Sequence, residues 1–305
     1  MLINQYLKYN ILNIFEICLY FCLALKGLKM RITVLSILSL CWLQGITQNI
    51  DFGVSFGASN YSGDLTESVK TSIQQSHPCF GMYVRAEIDP VFSLRLHFMQ
   101  LSVSGDDRFS TRPGIDKRNL KFDSKIQEIG LYGQFQLLSL FLERSPRLSP
   151  YLEFGISAFH FNPTTGYFGN KVVLRDLGTE GQGMLNYDPK YALYSYALNF
   201  GFGLRYFISS SYSVSMDMLA RQTSTDYLDD ASKNYVSYQE LLENNGPVAA
   251  ALGNKINAPT GAQRANPADK DWYQSVTLGF SYHFGKKYHY FNPSLQKHQI
   301  RCPHF

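Results

Sequence analysis

Hydrophobic and polar residues alternate with a period of two through most of this chain. The clearest case is residues 272–284. Trp272, Gln274, Val276, Leu278, Phe280, Tyr282 and Phe284 are bulky or apolar with the single exception of Gln274. Between them stand Tyr273, Ser275, Thr277, Gly279, Ser281 and His283, a set that is mostly small or polar. Such alternation predicts a strand with one oily face and one wet face. The rhythm recurs upstream. It predicts strands over residues 50–58 (Ile50, Phe52, Val54, Phe56, Ala58), 80–88 (Phe80, Met82, Val84, Ala86, Ile88) and from Phe92 (Leu94, Leu96, Phe98). Four more follow at 126–138, from Tyr151, at 195–207 and at 212–222.

The connections alternate in length: long, short, long, medium, long, short, long. Asp89-Pro90 and Ser209-Ser210-Ser211 make tight turns,. An even number of strands joined by alternating brief turns and long loops is the pattern of an outer-membrane barrel. The wet faces decide which side is inside. They carry Arg85, Glu87, Arg95, His97, Glu128, Glu153, Arg205 and Asp217. So many charges are very costly in a dry soluble core. In a small wet lumen they pair and hydrate, and these eight form a predicted barrel-interior polar network. A lipocalin-type soluble barrel would need the opposite polarity. The expected fold is therefore all-β, an eight-stranded antiparallel up-and-down transmembrane β-barrel of the outer-membrane type. Phe280 and Tyr282 face lipid, while Ser281 and His283 face the lumen.

Composition agrees with that picture. Charged residues are 17% and aromatics 15% of the 305 residues. The net charge of +4 is too small to argue for nucleic acid,. Met30-Arg31, the apolar stretch 32–43 and the exit Gln44-Gly45-Ile46-Thr47-Gln48 read as a secretory signal peptide,. The expected organisation is an upstream extension at 1–29, a signal peptide at 30–48, the barrel at 49–285 and a basic tail at 286–305. Both termini of the mature chain are expected in the periplasm. Cys79 and Cys302 are too few for a disulfide framework and are not expected to bond. After the signal peptide no run of 18 or more apolar residues occurs, so any membrane crossing is by strands,.

Candidate chemistry is sparse. No nucleophile elbow, zinc-protease or phosphate-loop motif is present,. His160, near the loop end of its strand, is the least implausible catalytic residue; His97 and His283 read as structural. Asp226, Asp229 and Asp230 read as a solvated acidic turn, with calcium as the rival. The stretch 178–183, GTEGQG, reads as a flexible loop, and Ser237-x-x-Glu240 as the cap of a short helix,. No catalytic residue, cofactor or metal is expected.

Several stretches are similar to the PorG-like family of outer-membrane barrels attached to the type IX secretion system. They are residues 57–65 (GASNYSGDL), 149–155 (SPYLEFG), 161–163 (FNP) with 177–183 (LGTEGQG), 225–230 (TDYLDD) and the final strand. The resemblance covers residues 48–287. It implies a non-enzymatic component that anchors a periplasmic ring, built of a lipoprotein and its partner, to the outer membrane. The connection at 138–150 and the tail from Gly285 are then the expected docking points. The rival is an OmpA-like surface adhesin acting through its four long loops. An outer-membrane lipid enzyme and a diffusion pore fit less well: the first lacks a motif, the second a lumen wide enough.

Overall fold

The computed structural model describes residues 49–285 except 64, 66–73, 110–114, 142–145 and 267–268. The expected signal peptide, upstream extension, basic tail and Cys302 lie outside the described residues, while Cys79 is a buried free thiol. Nine strands are described: β1 (Asn49–Ser62), β2 (His77–Glu87), β3 (Phe92–Asp106), β4 (Lys121–Gln136), β5 (Leu148–Tyr167), β6 (Asn170–Val173), β7 (Tyr194–Phe207), β8 (Tyr212–Thr223) and β9 (Trp272–Gly285). Pairing is antiparallel throughout, and β9 returns to β1. Eight strands close into an up-and-down barrel. The short β6 is a hairpin arm folded back on the far end of β5. No helix among the described residues is long and apolar enough to cross a membrane.

One end of the barrel carries short turns. Asp89 Oδ1 accepts from Val91 N and Phe92 N, both at 2.7 Å, and Ser209 Oγ accepts from the Ser211 and Tyr212 amides at 3.2 and 3.1 Å. These side chains replace the partners that the reversing backbone lacks. The long loops gather at the other end.

The strands run further toward the loop end than their alternation predicts, and there the faces change character. At the turn end and through the middle, the exterior is apolar: Phe52, Val54, Met82, Leu96, Leu131, Phe202 and Leu278 all face outward and exposed. That is the oily belt a bilayer requires. Above Phe98 on β3 the outward residues are Gln100, Ser102 and Ser104, and the inward ones become Met99, Leu101 and Val103. On β4 the same switch separates Ile129 outside from Ile126 and Phe122 inside, with Gln127 and Lys125 now outside. On β5 it falls between Ala158 outside and Phe159 inside, and Phe161 follows. The molecule thus has a lower storey with a charged lumen and an oily wall. Its upper storey has a hydrophobic interior and a polar wall. Leu65, Leu120, Leu174, Leu228, Ala231, Leu252 and Ala265 from the loops complete the upper core. We call this upper storey the head.

Two glycines make the narrow lumen possible. Gly53 pairs with Tyr83 and Gly203 with Tyr151 across the ladder. A Cβ on either glycine would lie 2.3 Å from the ring of the paired tyrosine. The rings lie flat over the bare backbone, as aromatic side chains cover strand glycines in barrels.

Candidate functional site

The lumen of the lower storey is built from inward positions of every barrel strand. At the turn end Arg85 Nε donates to Asp51 Oδ2 at 2.7 Å, and His283 Nδ1 lies 2.5 Å from Asp51 Oδ1. In the next layer Arg205 Nη2 donates to Gln134 Oε1 at 2.8 Å, and its guanidinium lies 3.9 Å from Glu87. Gln134 donates its own amide to Glu153. Arg95 bridges Glu153 at 2.9 Å and Asp217 at 3.1 Å, and Asp217 also accepts the Tyr151 hydroxyl. At the top Arg221 Nε lies 2.6 Å from Glu128 Oε2; Tyr273 and Tyr132 donate to the same carboxylate at 2.5 and 3.0 Å. Each guanidinium also lies over a ring, as Arg205 does over Tyr151 at 4.8 Å and Arg221 over Tyr273 at 5.1 Å,.

Seven of the eight sequence-predicted residues, all but His97, therefore sit in ion pairs inside the barrel. His97 faces the lumen but joins Ser55 Oγ at 3.1 Å instead. Arg221, Asp51 and the four tyrosines Tyr83, Tyr132, Tyr151 and Tyr273 join the network beyond the eight residues expected from the sequence. Arg221 shares the parity of Asp217 two turns of the pleat earlier; Leu219 between them hides the continuity. All four arginines and all four tyrosines are no more than 2% exposed. The lumen is filled.

The head is held by a second set of polar contacts, drawn mostly from the last loop (224–271) and from 178–183. The stretch 178–183, expected as a flexible loop, is buried at Thr179, Glu180 and Gln182. The reason is charge: Glu180 Oε1 accepts from Arg264 Nη1 at 2.8 Å and from the Ser232 and Lys233 amides at 2.9 and 3.1 Å. Gly178, Gly181 and Gly183 take the positive φ values that let this chain turn back on itself,. The acidic residues expected as a solvated turn are also buried, because hydroxyls and amides satisfy them. Tyr61 lies 2.7 Å from both Asp229 and Asp271, Thr179 and Tyr191 donate to Asp230 at 2.6 and 2.7 Å, and Ser232 donates to Asp226 at 2.7 Å. These carboxylates are committed to protein donors, and no cluster of metal-ligating side chains occurs among the described residues. Burial pushes the Asp230 carboxyl up to about 6, against the pull of Arg264,.

Two short helices lie in the last loop, α1 (Tyr238–Asn244) and α2 (Pro247–Gly253). The predicted cap is present: Ser237 Oγ accepts from the Glu240 amide at 3.3 Å,. The second helix, opened by Pro247, was not anticipated. His160 points away from the lumen, because its parity is that of Ile156 and Ala158. It packs against Tyr194 with ring centroids 4.8 Å apart.

Residues 29–246 match the family model described as a domain of unknown function, DUF6089. The chain belongs to the DUF6089 family. The match spans β1 to β8 and stops inside the last loop, short of β9. None of the curated proteins matches the sequence. Solved structures similar to this DUF6089 barrel include the outer membrane protein OprG from Pseudomonas aeruginosa, at 12% identity over 79% of this chain and 97% of that one (TM-score 0.43). Neisserial surface protein A is similar at 10% identity over 78% and 98% (TM-score 0.38). Ail, the attachment invasion locus protein of Yersinia pestis, in complex with the heparin analogue sucrose octasulfate, is similar at 12% identity over 78% and 99% (TM-score 0.38).

Proposed function

We propose that this protein is a non-enzymatic barrel of a Gram-negative outer membrane and a component of a protein secretion machine of type IX. In this reading it anchors or organises periplasmic ring components, a lipoprotein and its ring partner. The observation that carries the non-transporting part is the filled lumen. Arginine and tyrosine side chains exclude solvent along the lower storey, and the head's core closes the loop end. A barrel without a passage acts through its surfaces. The resemblance to PorG-like barrels supplies the choice of surface, the turn end, which this reading places in the periplasm. There Leu140 and Phe141 stand 59% and 84% exposed on the connection between β4 and β5. The last strand, β9, ends at Gly285 on the same side.

One observation favours the OmpA-like surface reading. The β5–β6 hairpin projects from the head and presents Phe168 at its tip, 89% exposed and held at φ 45,. A photo-crosslinking residue placed at Leu140 or Ser210 in intact envelopes is expected to capture a ring lipoprotein. Capture of no ring component from either position, with a surface ligand captured from position 168, would overturn the secretion reading in favour of the adhesin.

A further inference from the structure

The exterior wall is not a uniform oily cylinder. A groove of ≈ 550 Å³ is cut into it across β3, β4, β5, β7 and the end of β8. Its cause is a single small residue. In its register row Ala158 stands between Ile129 on β4 and Tyr196 on β7. Along its own strand its outward neighbours are Ile156 and His160. All four are large, so the alanine leaves a dent whose walls are apolar side chains of the belt. The groove lies at the upper edge of the oily belt, where acyl chains are the surrounding solvent,.

The register also fixes what lies directly above. The next outward row toward the head is Gln100, Gln127, His160 and Tyr194, and beyond it come Ser102, Lys125 and Asn162. Lys125 is four residues up β4 from Ile129, about 13 Å along the strand. On β4 and β6, beside the groove, the exposed cations are Lys121, Lys125 and Lys171, and the imidazole of His160 on β5 stands with them. Asp123 is the acid in this sector. Lys125 is exposed, and no ion pair to it occurs among the described residues. A second dent provides a control. It has ≈ 430 Å³ over Ala58 and Ala220, and its polar lining residues Asn60, Ser76 and Gln274 are uncharged.

We propose that the Ala158 groove is a seat for one anionic, phosphate-bearing lipid, with an acyl chain over Ala158 and its phosphate against Lys125 and His160. Lys125 and His160, in the two outward rows directly above Ala158, give the seat its headgroup preference,.

The test is native mass spectrometry of the full chain, extracted in a mild non-ionic detergent and loaded from equal phosphatidylglycerol and phosphatidylcholine. The wild type is expected to retain one phosphatidylglycerol in preference to phosphatidylcholine. Ala158→Trp, which fills the dent, is expected to lose that retained lipid, while Ala220→Trp in the second dent keeps it. Lys125→Glu is expected to lower the preference by about tenfold, equivalent to about 1.4 kcal/mol. Folding is checked by the heat-dependent electrophoretic shift of closed barrels. Lys125 lies on the polar collar, so its variant decides the matter alone if Ala158→Trp does not fold. Retention unchanged in Ala158→Trp, or a preference that survives Lys125→Glu, overturns the proposal.

Discussion

Arg221 and Glu128 meet at 2.6 Å, both wholly buried, at the level where the interior of the barrel passes from charged to apolar. Nothing in that layer can hydrate a lone charge. Glu128→Leu leaves the guanidinium unpaired and is expected to cost about 3–5 kcal/mol. The double variant Glu128→Leu/Arg221→Met removes both charges and is expected to recover most of that loss. The remaining deficit comes from the Tyr132 and Tyr273 hydroxyls, which lose their acceptor. Urea unfolding in lipid vesicles measures both. A double variant as unstable as the single one would show that the pair is not the origin of the effect.

The boundary of the oily belt makes a second prediction. Leu131→Arg places a charge on the lipid-facing wall and is expected to cost about 2–4 kcal/mol, whereas Gln127→Arg, four residues up the same face, costs about 0–1 kcal/mol. Equal costs at the two positions would mean that the bilayer does not end between Ile129 and Gln127.

The head is expected to tighten on acidification. The Asp230 carboxyl titrates near 6 when folded, against 3.8 for the unconstrained group. A raised acid binds its proton more tightly in the folded state, so stability rises as pH falls through 6 and levels off below about 4. The difference of about two pH units amounts to about 3 kcal/mol. Hydrogen exchange of the amides from Leu228 to Ser232, followed from pH 7 to pH 4, is expected to slow beyond its intrinsic pH dependence. Asp230→Asn should remove that excess.

Planar-bilayer recordings are expected to show no stable conductance. Removing residues 226–269 strips much of the head, yet the arginine and tyrosine layers below it remain, and the barrel should stay shut. A steady large conductance from either protein would contradict the packing of Tyr83, Tyr132, Tyr151 and Tyr273.

Much of this was legible in the sequence. Period-two alternation marked all eight barrel strands, and connection lengths marked the two ends. The charged parity on strands such as 80–88 marked the inside. The head was not legible, for a physical reason. Alternation looks the same whether the oily parity points in or out, so a strand that crosses from lipid to water keeps its rhythm while exchanging its faces. The trace it leaves is a slip of one residue in the apolar series. Phe92, Leu94, Leu96 and Phe98 are followed by Leu101 and Val103; Ile156 and Ala158 are followed by Phe159 and Phe161. Read as a change of phase, that slip locates the head. Read as the end of a strand, it produces loops that are too long. The buried carboxylates of the last loop were hidden for a related reason: their donors, Tyr61, Thr179, Tyr191 and Arg264, come from distant parts of the chain.

The exchange of faces along the strands also makes assembly a one-way step. In the orientation proposed above, the segments that form the head cross the bilayer before their apolar parity has anything to pack against. Once Phe122, Phe161, Leu228 and Leu252 come together there, retreat would require dragging Lys125, Gln127 and their neighbours through hydrocarbon while the new core came apart. The barrel is thus self-locking: the folding energy of the head is what keeps it from slipping back.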